Sequence, residues 1–87
     1  MRKITFEIKA FEEFTYWATN DKKIFKKILS LLKDTQKNPF SGLGKPEALK
    51  HELQGCWSKR INQEHRLVYQ VEDDSIVILS CRYHYDK

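Results

Sequence analysis

Cysteine, proline and glycine are scarce in this sequence, whose 87 residues include two Cys, two Pro and three Gly. Two cysteines cannot build a scaffold of several disulfides. Cys56 and Cys81 stand in apolar, strand-like runs and lack a Cys-x-x-Cys spacing. We therefore expect two reduced, buried thiols, as is typical of a cytoplasmic protein.

Long apolar runs are also missing. The longest comprises residues 76–79, whereas a membrane-spanning helix needs about 20 apolar residues. No apolar stretch follows the two basic residues after Met1, so we expect no secretory signal. His51, His65 and His84 have no metal-ligand spacing, and no phosphate-binding glycine motif is present. The sequence predicts neither a metal nor a cofactor, although a Cys/His nucleophile pair stays open.

The composition that is present favours folding and a basic surface. Hydrophobic residues make up 40% and aromatic residues 13% of the chain, which excludes wholesale disorder. The length predicts one domain, residues 1–87, with a thin core. A net charge of +4 and a pI near 9.1 favour a nucleic-acid role slightly over none.

Two helices are predicted after a first strand. Residues 3–8 alternate, with Ile4, Phe6 and Ile8 on one face, which indicates a half-buried strand. Asn20 and Asp21 offer a break and an N-cap, and Asn38-Pro39 ends the second helix. The predicted inner stripes are Ala10, Phe11, Phe14, Trp17 and Ala18 in the first helix, then Ile24, Phe25, Ile28, Leu31, Leu32 and Thr35 in the second.

The second half of the chain predicts three strands behind a long connector, residues 38–54. The strands are predicted at 57–61, 66–71 and 75–85, separated by short polar turns that favour an antiparallel meander. The resulting order, β-α-α-β-β-β, is that of an α+β domain with two helices packed on one face of a mostly antiparallel, curved sheet. Connectors of this length are often functional.

Polar groups with acid–base chemistry gather in the connector and the last two strands. Glu47 lies between Lys45 and Lys50, Arg66 begins a strand, and His84 lies near the end of the last one. Cleavage of RNA by its own 2′-hydroxyl needs a base, a cation at the phosphate and an acid at the leaving oxygen. These residue types supply all three without a metal, as they would in any basic α+β domain.

Each candidate also has a plain structural interpretation. Glu47 follows a proline, like a carboxylate in the first turn of a helix. Arg66 fits a solvated charge or a cross-strand partner of Glu64 or Glu72. His84, close to the C-terminus, fits a surface residue.

Two further features have structural interpretations. We interpret His65, which points away from the Arg66 face, as a structural residue that anchors the turn through Glu64. The lysines of the second helix are either a solvated face or a surface for ribosomal RNA.

Four segments together are specific: GKPEALKHEL (44–53), GCWSKRI (55–61), EHRLVY (64–69) and CRYHY (81–85). In this order and spacing they closely resemble the YoeB/Txe toxins, a branch of the RelE superfamily of toxin–antitoxin systems. The resemblance covers the whole chain, and the predicted β-α-α-β-β-β order matches the RelE-like fold. The family chain usually stops at the final Tyr, whereas here Asp86 and Lys87 follow.

The resemblance implies an endoribonuclease that cuts messenger RNA in the A site of the 70S ribosome. Glu47 would be the general base, Arg66 the phosphate stabiliser and His84 the general acid, while Tyr85 would orient substrate or acid. The residues implied to contact RNA phosphates are Lys45, Lys50 and Arg60.

The resemblance also implies partners. These are a YefM/Phd-type antitoxin and, in several members, a second copy in a homodimer. Two alternatives stay open: a ribosome- or RNA-binding inhibitor that does not cleave, and a co-repressor that acts only within the antitoxin complex. The chain has no helix-turn-helix pattern, so any DNA contact would come through the antitoxin.

Overall fold

The structure, a computed structural model, describes residues 1–83. A five-stranded mixed sheet carries two helices on one face. The elements in chain order are β1 (Lys3–Phe6), α1 (Ile8–Asn20), α2 (Lys22–Lys37), β2 (Glu47–Ala48), a 3-10 helix (His51–Leu53), β3 (Cys56–Arg60), β4 (Arg66–Val71) and β5 (Ser75–Ser80). The predicted α+β class and the β-α-α-β-β-β order are confirmed, with one short extra strand, β2, inside the connector.

The sheet order is β1-β5-β4-β3-β2. Neighbouring strands are antiparallel except β1 and β5, which pair in parallel from Lys3–Ser75 to Phe6–Ile78. β1 can lie beside the last strand because both helices intervene before the meander begins. The chain therefore buries its central strands between neighbours on both sides.

The N-terminal part differs from the prediction at three positions. The first strand ends at Phe6, and Ile8 begins α1 with 79% of its surface exposed. In α1, Ala10 and Trp17 are buried, whereas Phe11 and Ala18 are exposed. The inner face of this helix is thus narrower than the apolar stripe in its sequence.

The second helix follows its sequence closely. Asp21 caps it by accepting hydrogen bonds from the N–H groups of Lys23 and Ile24, as predicted from the Asn-Asp break. Its predicted inner residues are buried or half-buried. The main core comprises Ala10, Trp17, Ile28, Leu31, Leu32, Ile61, Leu67, Tyr69, Ile76, Ile78 and Cys81.

The last strand is shorter than predicted. β5 ends at Ser80 instead of residue 85, and Val68 pairs with Ser80 while Tyr69 pairs with Ile78, so a bulge at Leu79 interrupts the register. Such a bulge bends its strand and re-aims the residues that follow. Residues 82 and 83 therefore lie outside the strand that the sequence predicted over them.

A buried ion pair joins α2 to β3. Lys59 is fully buried, and its Nζ donates to Asp34 Oδ2 at 2.9 Å and to the Asn38 carbonyl at 3.0 Å. Asp34 Oδ2 also accepts the N–H of Leu43 at 2.9 Å. The pair thus fixes the end of α2, the start of the connector and the central part of β3 relative to one another.

We expect Lys59→Met to lower the free energy of unfolding by about 3–5 kcal/mol, because it leaves the Asp34 carboxylate without its buried partner. Urea denaturation measures this loss. The matched control is Lys33→Met on the exposed side of α2, which should change stability by less than about 0.5 kcal/mol. Equal effects of the two substitutions would contradict the role given to the ion pair.

We expect low pH to weaken the ion pair between Lys59 and Asp34. The hydrogen bond from Lys59 lowers the pKa of Asp34, against the opposing effect of burial. The unfolded chain then binds more protons, so this stabilisation is complete above the unfolded pKa of about 4 and is lost as pH falls through the lower folded pKa. From about pH 5 down to about pH 2, the free energy of unfolding measured by urea denaturation should fall more steeply for the parent than for Asp34→Asn. Asp73→Asn, at an exposed turn, should keep the parental slope.

Candidate active site

Strand register brings the predicted base Glu47, the predicted phosphate stabiliser Arg66 and one predicted phosphate ligand, Arg60, to one face of the sheet. Glu47 pairs with Ser58 across β2 and β3, and Arg60 pairs with Arg66 across β3 and β4. Paired residues and residues two apart share a face. Lys59 contacts α2 from the other face, so Glu47, Arg60 and Arg66 stand on the face opposite the helices.

The distance between base and phosphate ligand follows from this register. Two strand spacings and two residues along β4 separate Glu47 from Arg66, which corresponds to about 12 Å between their Cα atoms. Glu47 lies on the edge strand β2, and the Arg66 guanidinium lies at the turn between β3 and β4. A small apolar cluster of Leu49, Cys56 and Val68 lies on the same face, and Val68 pairs with Ser58, the partner of Glu47.

Glu47 lies in β2, and its side chain is exposed. The alternative interpretation as a carboxylate in the first turn of a helix is therefore wrong: the connector forms a strand at this point, and its single 3-10 turn begins later, at His51. The N–H of Leu49 donates to the Cys56 carbonyl at 2.9 Å and continues the pairing beyond β2. This pairing fixes the position of the Glu47 backbone.

Arg66 is buried, with 8% of its surface exposed. Its Nη1 donates to the carbonyls of Asn62 at 2.6 Å, Gln63 at 3.2 Å and His65 at 3.1 Å. The alternatives of a solvated charge or a pair with Glu64 or Glu72 are wrong, because the guanidinium closes the turn between β3 and β4. Within residues 1–83, its Nε and Nη2 make no hydrogen bond, and these two groups suit an anionic ligand.

A basic depression adjoins this face. It has a volume of about 370 Å³ and is lined by Lys27, Gly44, Lys45, Arg60, Ile61, Asn62 and Gln63. The structure thus brings Lys45 and Arg60 together as predicted RNA ligands and adds Lys27 of α2, whereas Lys50 does not line the depression. The sequence indicated Lys27 only as part of the lysine-rich face of α2, and it could not show that this face lies beside the connector.

The connector is fastened beside this depression. The Gly44 carbonyl accepts the N–H of Arg60 at 2.6 Å. Gly44 has φ +82°, and a Cβ there would lie 2.9 Å from Lys59 Cβ. Glycine is therefore required where Lys45 approaches β3.

His65 has a structural contact that the sequence did not reveal. It is 5% exposed, and its Nδ1 accepts the N–H of Tyr83 at 2.7 Å. Its Nε2 lies 3.6 Å from Glu64 Oε1. The predicted anchor through Glu64 is thus secondary to a bond with the C-terminal segment.

His84 and Tyr85, the predicted acid and its partner, lie outside the described residues, as do Asp86 and Lys87. Tyr83, which precedes His84, is held next to Arg66, because the Arg66 N–H donates to the Tyr83 carbonyl at 3.1 Å. The described chain therefore ends beside the face that carries the other candidates.

The cysteines do not fit a nucleophile. Both are free and buried. Burial raises the pKa of Cys56, and burial together with the nearby Glu13 carboxylate raises the pKa of Cys81 to about 12. A thiol in this state is a poor nucleophile, so the open alternative of a Cys/His pair has no support.

Among residues 1–83, no group of three or more His, Cys, Asp or Glu side chains is arranged to hold a metal ion. No helix in that range has the length and hydropathy needed to cross a membrane.

Comparisons with known proteins agree with the fold and the motifs. The profile described as "YoeB-like toxin of bacterial type II toxin-antitoxin system" matches residues 6–85. Toxin YoeB of Escherichia coli K12 is 54% identical over 83 residues, which cover 95% of this chain and 99% of that protein.

Solved structures give the same result. The YoeB dimer from Staphylococcus aureus has a TM-score of 0.90 and 54% identity, covering 97% of this chain and 98% of that one. The YoeB–YefM complex from the same organism has a TM-score of 0.89 and 52% identity, covering 98% and 99%. This chain therefore belongs to the YoeB-like toxins of bacterial type II toxin–antitoxin systems.

Proposed function

We propose that this toxin is a ribosome-dependent endoribonuclease that cuts messenger RNA at A-site codons and so inhibits translation. The observation that carries the proposal is the register of β2, β3 and β4, which puts Glu47, Arg60 and Arg66 on one open sheet face. A carboxylate opposite guanidinium groups suits a phosphodiester substrate. The cytoplasm, where translating ribosomes are found, is the proposed location.

The proposed reaction needs no cofactor. Glu47 takes the proton from the 2′-hydroxyl, whose oxygen bonds to the adjacent phosphorus while the bond to the 5′ oxygen breaks. Arg66 stabilises the extra negative charge of the pentacoordinate phosphate through Nε and Nη2. His84 gives a proton to the leaving 5′ oxygen, and Tyr85 orients substrate or acid. The products are a 2′,3′-cyclic phosphate and a free 5′-hydroxyl.

The basic depression beside this face supports contacts with the RNA backbone. Lys45 and Arg60 would bind phosphates next to the cut, with Lys27 as a third cation. Lys50, which lies outside the depression, is proposed to contact phosphate closer to Glu47. The four cations would position RNA without reading its bases.

We also propose a YefM-type antitoxin as the partner of this chain. The Staphylococcus aureus complex of YoeB with YefM, whose toxin chain is about half identical to this one, supports the proposal. The YoeB dimer of that organism supports homodimer formation. DNA contact would arise only within the antitoxin complex.

We expect Glu47→Gln to lower cleavage by about 10²–10⁴-fold, because the amide keeps the shape of the side chain but cannot take a proton. Primer extension on mRNA in a reconstituted translation reaction, run with and without ribosomes, measures the cut. The matched control is Glu52→Gln on the exposed 3-10 helix, which should cleave like the parent.

Two results would contradict the proposal. Undiminished cutting by Glu47→Gln would remove Glu47 as the base. Arrested translation without any cut in the parent would support the alternative inhibitor that binds and does not cleave.

We expect Arg66→Ala to lower cleavage by about 10²–10³-fold and the free energy of unfolding by about 1–3 kcal/mol. Two measurements are needed, urea denaturation and primer extension, because the same guanidinium closes the turn. Arg66→Lys should recover part of the stability, while its cleavage stays well below that of the parent. One ammonium cannot bind the turn carbonyls and a phosphate together. Parental cleavage by either variant would exclude Arg66 as the phosphate stabiliser.

A further inference from the structure

The segment after β5 is fastened at each of its three described residues. Cys81 is bound to α1: its N–H donates to Glu13 Oε1 at 2.8 Å, and its carbonyl accepts from Trp17 Nε1 at 2.9 Å. The Cys81 thiol also lies 3.7 Å from the Ala10 carbonyl. The chain therefore leaves the sheet by turning onto the helix.

Arg82 continues this attachment through aromatic rings. Its Cζ lies 3.8 Å from the centre of the Tyr16 ring and 4.8 Å from that of Tyr83. Its Nε is buried and has no hydrogen-bond partner among residues 1–83. These contacts attract the Arg82 guanidinium to the faces of both rings.

Tyr83 adopts a backbone conformation that side chains rarely take. Its φ is +65°, which is uncommon for a bulky residue. Such a conformation costs about 1–3 kcal/mol and persists only where its surroundings determine it. Here the Tyr83 N–H donates to His65 Nδ1 at 2.7 Å, and the Tyr83 carbonyl accepts from the Arg66 N–H at 3.1 Å.

The surroundings of His65 hold its ring in position for this hydrogen bond. Its ring packs edge-on against Trp17 with 4.7 Å between centres and lies 5.6 Å from the Tyr83 ring. Because Nδ1 accepts a hydrogen bond, the imidazole is neutral and carries its proton on Nε2. The Asn62 side chain fixes the same residue by accepting the His65 N–H at 2.7 Å.

We propose that His65 is a positioning residue of the ribonuclease proposed above, on which this inference rests. Its Nδ1 holds Tyr83 in the left-handed conformation and so sets where the chain departs, beside Arg66, toward His84. His65 does not touch the reacting atoms in this proposal. It acts by keeping the segment that carries the proposed acid registered against the strand that carries the phosphate ligand.

The test compares three substitutions at His65. Asparagine puts an acceptor oxygen near the position of Nδ1, whereas leucine has a similar shape and no acceptor, and glutamine carries its amide one atom further out. Two readouts are taken on each variant: hydrogen exchange of the Tyr83 amide in the free protein, and the single-turnover rate of mRNA cleavage on saturating ribosomes.

We expect His65→Leu to lower the cleavage rate by about 10²-fold, as a small misplacement of a catalytic group does, with unchanged affinity for ribosomes. Its Tyr83 amide should exchange markedly faster than in the parent. His65→Asn should retain protection of this amide and recover most of the cleavage rate. A residue needed only for stability would move the melting temperature of all variants without separating Asn from Leu in rate.

Each outcome decides the proposal. Equal cleavage rates for the Asn and Leu variants would overturn it, and so would an unprotected Tyr83 amide in the parent. If the Leu variant does not fold, the Asn and Gln variants decide, with equal rates again overturning the proposal. A parent that does not cut ribosomal mRNA would refute the proposed function instead, and Tyr83 exchange would still report whether His65 holds the segment.

Discussion

The buried pair between Lys59 and Asp34 is the constraint on which the rest of the structure depends. A fully buried ammonium is tolerated only because a carboxylate and the Asn38 carbonyl both accept from it. The same carboxylate accepts the Leu43 N–H, so the charge that satisfies Lys59 also ties down the connector. Burial of an ion pair is costly, and here the pair holds a connector segment whose apolar side chains Phe40 and Leu43 are about half exposed.

Backbone hydrogen bonds connect this ion pair to the candidate site. The connector reaches β3 at Gly44, whose carbonyl accepts the Arg60 N–H, and β2 then pairs at Glu47 with Ser58. On the other side of β3, the pairing of Arg60 with Arg66 fixes the second guanidinium. The backbone of each of these charged residues is held by strand pairing, so its position is less easily displaced than that of a solvated side chain.

Much of the fold is visible in the sequence, and the reasons for the exceptions are specific. β4 begins and ends at the predicted residues, and Asp21 caps α2, because alternation and capping are local signals. The end of β5 at Ser80 is not local: it depends on the bulge at Leu79 and on the bonds of Cys81 to α1. β2 is a two-residue strand that forms because the edge of β3 is available for pairing. A strand this short has no periodicity from which the sequence could predict it.

The candidate residues were also only partly predictable from the sequence. The Glu47 and Arg66 positions were predicted from motifs, but the burial of Arg66 against three turn carbonyls depends on how the turn folds back. Arg66 therefore stabilises the turn that its proposed chemistry also needs, and His65 of the same turn accepts a hydrogen bond from Tyr83. Where one group both closes the fold and faces the substrate, loss of activity on truncation does not by itself identify a chemical role. Substitutions that keep one of the two contacts separate the roles, because the stability and the rate then change by different amounts.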